Sequence, residues 1–338
     1  MKLEGKSIVV TGASAGMGQA IVTLFAQEGA NVIAVARRKE RLDALAEALK
    51  EEPGKVIPYI GDVSDPAACD GMIDAAVKAF GRLDVLVNNA GIMDDNTAVG
   101  DVSDEMIERL FRVNTYGPLY AMRKAVQVFL TQGEDGGNII NITSVGAAHQ
   151  TAGVAYCASK AAIASATKNT AFMYIDKGIR CNAIAPGGIL TDIPLVMPKA
   201  NKFGFERTGS LLAHSPEMGL PEDIAGAALF LASSWASYIT GVTLNVSGGI
   251  PHKAGFGILH HHKRKMLAGA FGCPEILCGL GTCISFMCSR QRRLQLEKLL
   301  AESGKRCYDS SRRNKNMNVK KNKKGFTLME MLIVVAIK

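Results

Sequence analysis

Apolar and β-branched residues fall in seven short runs between residues 7 and 246, and stretches with a different period separate most of them. The runs are SIVV (7–10), NVIAVA (31–36), VIPYI (56–60), LDVLVN (83–88), NIINIT (138–143), IRCNAIA (179–185) and VTLNV (242–246). Near-continuous apolar strands are those buried on both faces, as in a parallel sheet covered by helices. Between them, RLDALAEALK (41–50) and MIDAAVKAF (72–80) space their apolar residues at helical intervals. Strands alternating with helices through short right-handed crossovers predict a doubly wound α/β fold, a seven-stranded parallel Rossmann sheet. One domain over residues 1–250 is expected, without internal repeats. Residues 189–218 are richer in Pro, Gly and Met and only weakly periodic, which predicts a loop or lid with short helices.

Charge divides the chain at the same boundary. Residues 1–250 hold 21 basic against 26 acidic residues, and residues 251–338 hold 18 against 5. The pI near 9.0 is therefore a property of the tail. It gives no ground for a nucleic-acid partner of the body. Only Cys69, Cys157 and Cys181 of the eight cysteines lie in the body. They are scattered and unpaired in spacing, as in a reducing compartment. The opening MKLEGKSIVV has no apolar stretch long enough for a signal peptide. A cytoplasmic body is expected, with no membrane partner for residues 1–250.

VVTGASAGMGQAI (9–21) runs from the first strand into a helix, with Gly12, Gly16 and Gly18 at the junction. Glycine there allows the tight turn, and a helix N-terminus beside it offers N–H groups to phosphates. An acidic residue ending the second strand would favour a free ribose 2′-hydroxyl. This strand ends AVARRKE, with Ala36 near that place and Arg37 and Arg38 after it. Guanidinium groups there suit a 2′-phosphate, so NADP is expected over NAD. Asp62 in GDVSD, after the third strand, is placed to meet an adenine edge.

In AYCASK (155–160), Tyr156 and Lys160 are four residues apart and share one helix face. With TGxxxGxG, NNAG (88–91), Asn114 in RVN, Ser144 in NIINITS, and APGGILTD (185–192), the body resembles the short-chain dehydrogenase/reductase family in its single-domain form. The resemblance covers nearly all of residues 4–250. It implies a catalytic set of Asn114, Ser144, Tyr156 and Lys160, with no metal. It also implies cofactor contacts from Gly12, Ser14, Gly16, Met17 and Gly18 in the first turn, and from Arg37, Arg38, Asp62 and Val63 beyond it. Asn89, Ala90, Gly91, Tyr156 and Lys160 belong to the same implied set, as do Pro186, Gly187, Ile189 and Thr191. A homotetramer is implied as well. There are departures: Ala15 and Ser247 replace residues common at those places, and Ser144 precedes Tyr156 by only twelve positions.

The implied chemistry is hydride transfer between NADP(H) and a ketone or secondary alcohol. A 3-oxoacyl thioester, a steroid and a small ketone all remain open as substrates. Tyr156 would be the general acid/base, its pKa lowered from about 10 by the Lys160 ammonium. Ser144 would hydrogen-bond the carbonyl oxygen. A dinucleotide sensor without chemistry is the alternative, but a sensor has no need of all four residues. His149, His214, Met197 and Met218 read as loop or packing residues, and Cys157 as structural.

After VSGG the resemblance ends. Cys273, Cys278, Cys283 and Cys288 recur every five residues, which is not zinc-module spacing. MNVKKNKKGFTLMEMLIVVAIK (317–338) resembles the start of a type IV prepilin, with Gly325, Phe326 and Glu330 in the matching places. Its apolar run falls short of the ~20 residues of a spanning helix. The tail is expected to be disordered or a read-through segment. A pilus-related membrane protein is the more distant alternative.

Overall fold

The computed structural model describes residues 1–133, 136–191, 200–212 and 217–249. The expectations on Met197, His214 and residues 251–338 lie outside the described residues. In chain order the elements begin with β1 (Ser7–Thr11), α1 (Gly16–Gln27), β2 (Asn31–Ala36), α2 (Lys39–Ala48) and β3 (Val56–Ile60). They continue with α3 (Pro66–Phe80), β4 (Val85–Asn88), α4 (Asp104–Phe111), a π-turn (Arg112–Tyr116), α5 (Gly117–Thr131) and β5 (Gly137–Ile142). The last are α6 (Val154–Met173), β6 (Ile179–Pro186), α7 (Lys202–Leu212), α8 (Pro221–Ala232) and β7 (Thr243–Val246).

The seven strands form one parallel sheet in the order β3-β2-β1-β4-β5-β6-β7. The expected fold class is the observed one. Alternate residues of the central strands feed two separate cores. Ile8 and Val10 join Ile21, Phe25, Leu42, Ile224 and Leu229 under α1, α2 and α8. Val9 and Ile33 join Met72, Ile73, Ala121 and Phe129 under α3 and α5. Each such large apolar side chain contributes about 1.5–3 kcal/mol by leaving water. That two-sided burial is why the strands read as continuous apolar runs.

The strand order reverses between β1 and β4, which opens a crevice at their C-terminal ends. One hydroxyl joins its walls. Thr11 Oγ1, at the end of β1, accepts from the N–H groups of Asn89 and Ala90 after β4, both at 3.0 Å. Every strand carries its following loop to this edge of the sheet, so distant residues meet there. Among the described residues, no helix is long and apolar enough to cross a membrane.

Candidate active site

The crevice is a cleft of about 370 Å³. Its floor is the turn between β1 and α1. Gly12 and Gly16 have φ of +68° and +54°, where a side chain would be strained. A Cβ on Gly12 would lie 2.8 Å from Asn89 Nδ2, and one on Gly18 would collide with the Gly12 carbonyl oxygen. α1 starts after Ala15 with no capping side chain and no acid in its first turn. Its N-terminal N–H groups and partial positive charge therefore face the cleft, while α3 and α4 are capped by Asp65 and Ser103. Asn89 Oδ1 is buried without a partner, although its Nδ2 donates to the Thr11 and Gly12 carbonyl oxygens. Uncapped donors, a glycine cradle and an orphaned acceptor fit a dinucleotide.

Thirteen of the residues assigned to the cofactor line this cleft: Gly12, Ser14, Gly16, Met17, Gly18, Arg37, Arg38, Asp62, Val63, Asn89, Ala90, Gly91 and Thr191. The two arginines have different partners. Arg38 donates to Ser14 Oγ at 2.9 and 3.3 Å. Arg37 stands 3.7 Å from Asp62, both side chains well exposed. Two hydrogen bonds from Ser64 hold that carboxylate, and its pKa lies below the usual value although burial opposes the shift.

The other residues assigned to the cofactor stand outside this lining. Pro186, Gly187 and Ile189 are not part of the cleft lining. Pro186 ends β6 in register with Val246, and the Gly187 N–H donates to the Val246 carbonyl oxygen. Ile189 is packed into the core with Ile224 and Leu229. Tyr156 and Lys160 also lie behind the lining rather than on it.

Four side chains converge behind Gly91. The π-turn that separates α4 from α5 carries Asn114, which is buried. Asn114 Oδ1 accepts from the Ile92 N–H, and its Nδ2 donates to the Ile92 carbonyl oxygen, both at 2.9 Å. The same Nδ2 reaches Ser159 Oγ at 3.1 Å. Ser159 in turn donates to the Tyr156 carbonyl oxygen at 2.8 Å. Lys160 Nζ donates to the Ile142 carbonyl oxygen at 2.9 Å and stands 5.9 Å from the centre of the Tyr156 ring. A Cβ on Gly91 would lie 3.1 Å from Lys160 Nζ and 3.4 Å from Asn114 Oδ1. Gly91 thus separates cleft and cluster by a backbone's thickness. Ser144 lies two residues after β5, and its Oγ accepts from the Gly146 N–H at 3.0 Å. Ser144 is the N-cap of the 3-10 turn Val145–Ala147.

Burial sets the electrostatics of the pair. It pushes the Tyr156 phenol up to about 12, with Cys157 and Asp94 adding to the rise and a hydrogen bond from Ser144 opposing it. Burial brings the Lys160 ammonium down to about 8. The expected depression of the phenol by Lys160 is not what this arrangement gives. The loss of solvation is the largest influence on the phenol, and Lys160 is not among the groups that offset it. At neutral pH the phenol keeps its proton and the lysine stays cationic.

Sequence reasoning missed some of the site. Arg109 of α4 is exposed and lines the cleft, and Ile92 and Met93 line it too. Only the approach of α4 brings Arg109 there, so no local pattern marks it. Ser159 was legible in principle, as a buried hydroxyl next to Lys160 on the helix.

Residues 12–251 match a family model described as enoyl-(acyl carrier protein) reductase. The chain belongs to the short-chain dehydrogenase/reductase family. Members of this family are oxidoreductases that use NAD(P). The chain is 43% identical over 248 residues to 3beta-hydroxysteroid dehydrogenase 2 of Eggerthella lenta, covering 73% of this chain and 95% of that protein. It is 38% identical to the 3-oxoacyl-[acyl-carrier-protein] reductase FabG of Thermotoga maritima, covering 74% and 99%. Among solved structures, levodione reductase superposes with a TM-score of 0.68 at 28% identity, over 75% of this chain and all of that one. A Burkholderia xenovorans member gives 0.67 at 32%, over 74% and 98%. Residues 320–337 match the prokaryotic N-terminal methylation motif, as the prepilin resemblance implied.

Proposed function

We propose that the chain is an NADP(H)-dependent oxidoreductase that reduces a ketone, with Tyr156 as the proton donor. The observation that carries this reading is the convergence of Asn114, Ser144, Tyr156 and Lys160 behind Gly91, against a glycine-floored cleft with an uncapped helix at its base.

The cofactor supplies the hydride when bound. Gly12, Gly16 and Gly18 would hold its pyrophosphate against the start of α1, and Ser14, Arg37 and Arg38 its 2′-phosphate. The exposed Arg37–Asp62 pair is worth at most about 1 kcal/mol, so a phosphate competes for the guanidinium at little cost. Thr191, at the cleft wall, and Lys160, behind Gly91, would hold the far half.

Tyr156 donates its proton to the carbonyl oxygen. A phenol held near 12 is loaded for that direction at neutral pH, since it is protonated before substrate arrives. Ser144 hydrogen-bonds the same oxygen as charge develops. Lys160 keeps positive charge beside the phenol as it turns into the anion. Asn114 holds the loop after β4 at Ile92 and, through Ser159, the Tyr156 main chain.

A steroid ketone and a 3-oxoacyl thioester are the substrate classes to try first, given the relatives named above. The test is loss of NADPH absorbance with a panel of both classes and small diketones. Turnover of none of them, with NADPH nonetheless bound, would favour the sensor reading. A homotetramer accords with exposed Leu119 and Leu130 on α5 and exposed Trp235 and Tyr238 before β7. Sedimentation velocity measures it.

A further inference from the structure

The helix that carries Tyr156 has no cap of its own. Gly153 stands at its N-cap with extended backbone and no side chain to offer. The N–H groups of the first turn are satisfied from another part of the chain. Asp94, in the loop after β4, is 1% exposed. Its Oδ1 accepts from the Gly153 N–H at 3.0 Å, and its Oδ2 accepts from the Tyr156 N–H at 2.9 Å. The Val154 N–H donates to the Thr97 carbonyl oxygen at 3.1 Å. Tyr156 is the third helical residue, the one whose N–H an N-cap Ser or Asp would normally take. Asp94 fills that place from 62 residues away. Gly153 and Asp94 are matched, because a Cβ on Gly153 would collide with the carboxylate.

A buried carboxylate is costly unless hydrogen bonds hold its charge. Three main-chain N–H groups do so, the third from Asn96 at 3.1 Å, with the positive end of α6 behind them. The same loop grips other parts of the site. Ile92 is bound both ways to Asn114. The Asp95 carbonyl oxygen accepts from the Asn201 N–H at 2.7 Å, just before α7. Asn96, with φ at +64°, lies so close to α7 that a Cβ on Gly204 would collide with its carbonyl oxygen. A non-glycine residue in that conformation persists only where its surroundings hold it.

We propose that Asp94 is a positioning residue for the reaction: its carboxylate fixes the main chain of Tyr156 to the cleft-wall loop, and so sets where the phenol stands relative to Asn114 and the cleft. The proposal rests on the reading of Tyr156 as the proton donor. Asp94 itself touches no reacting atom. The groups around the phenol are the Ser144 hydroxyl after β5, Cys157 and Lys160 on α6, and Asp94 from the loop. Asp94 is the carboxylic acid among them.

The experiment is Asp94→Asn in the full chain, beside Tyr156→Phe. The amide keeps the size of the side chain but presents N–H to an N–H donor, which releases one end of the clamp. Turnover falls about 10- to 100-fold, the scale of a sub-ångström displacement at the reacting group. The dissociation constant for NADPH, read from its fluorescence, stays at the wild-type value. The limb of the kcat–pH profile that reports Tyr156 moves to lower pH, because a negative charge opposing the tyrosinate is gone. Wild-type kcat with an unshifted profile overturns the proposal, and so does a lowered Tm with unchanged kcat, which is the signature of a purely structural cap. Wild-type turnover in Tyr156→Phe overturns instead the reading beneath it. Should Asp94→Asn not fold, Asp94→Ala/Gly153→Asp moves the carboxylate to the local N-cap. That variant restores an acceptor for the Tyr156 N–H on α6 itself but not the tie to the loop, so it folds while its turnover stays low. Wild-type turnover in it overturns the proposal, and so does failure to fold, which would make Asp94 a determinant of the fold alone.

Discussion

Lys160 stands with its ammonium 5.9 Å from the Tyr156 ring, yet its hydrogen bond goes to the Ile142 carbonyl oxygen. The lysine is therefore anchored to β5 while the tyrosine is set by the loop after β4. Replacing the phenol alone leaves both anchors in place. Tyr156→Phe is expected to lower kcat by about 10²- to 10⁴-fold, the contribution of a positioned general acid. NADPH affinity should not change, and a fluorescence titration beside steady-state rates checks both.

Arg37 and Arg38 are separable by experiment. Arg38 is already engaged with Ser14, whereas Arg37 holds only a loose, exposed pairing with Asp62. Arg37→Ala is expected to weaken NADP binding by about 1.5–3 kcal/mol, the range for hydrogen bonds to charged groups. NAD binding should barely move. Calorimetric titration with both dinucleotides distinguishes this from an equal loss, which would remove Arg37 from phosphate recognition.

Lys160 makes stability depend on pH in a particular direction. An unfolded lysine keeps its proton to about 10.5, while burial lets the folded one lose it near 8. Between those values the unfolded chain binds more protons, so stability rises with pH. From pH 7 to 9 the rise from this one group is roughly 1 kcal/mol. Lys160→Met should lack it. Urea unfolding of both proteins at the two pH values measures the difference. Above pH 9 the buried thiols of Cys69 and Cys181, each pushed up to about 12, work the other way, because the unfolded thiols ionise first.

Gly18→Ala tests the floor of the cleft. The added methyl would meet the Gly12 carbonyl oxygen and Asn89 Nδ2. Overpacking of this kind costs about 1–3 kcal/mol of stability. Displacement of the turn should also abolish binding of both dinucleotides, whatever their 2′ substituent. A lowered Tm with intact NADPH binding would place the pyrophosphate elsewhere.

Residues 254–338 should be dispensable for turnover. The relatives named above are matched over 95% and 99% of their own lengths by 73% and 74% of this chain. The seven strands of the described residues and the proposed catalytic cluster all precede residue 250. A chain ending at residue 253 is expected to keep kcat/KM and cooperative unfolding. Loss of either would show that the basic tail completes the site or an interface.

The sheet was legible because both faces of each strand are buried, so its residues are apolar without interruption. β4 shows the limit of that signal. The run LDVLVN begins at Leu83, but the strand begins at Val85. Leu83 gives its N–H and carbonyl oxygen to the side chain of Gln132, and the Asp84 carboxylate takes the Ser7 N–H. Those groups are satisfied by side chains rather than by a ladder, which hydropathy does not record. Asn114, Ser144, Tyr156 and Lys160 were legible as residues, and the structure brings them together. Their electrostatics were not, because spacing along a helix gives the distance between two charges and not the water each has lost. Asp94 was invisible for another reason: its partners are main-chain groups, which carry no sequence signature.

The π-turn at Arg112–Tyr116 turns chain length into an angular gauge. One residue in excess of regular α-helical winding is stored there, and each residue of an α-helix corresponds to about 100° of rotation. Deleting a single residue between 112 and 116 would let α4 run into α5 as one uninterrupted helix. Asn114 would then swing away from Ile92, or everything after it would rotate out of phase with the core. The segment looks like ordinary helix in the sequence, but insertions and deletions that a helix surface elsewhere could absorb would here be read out at the active site.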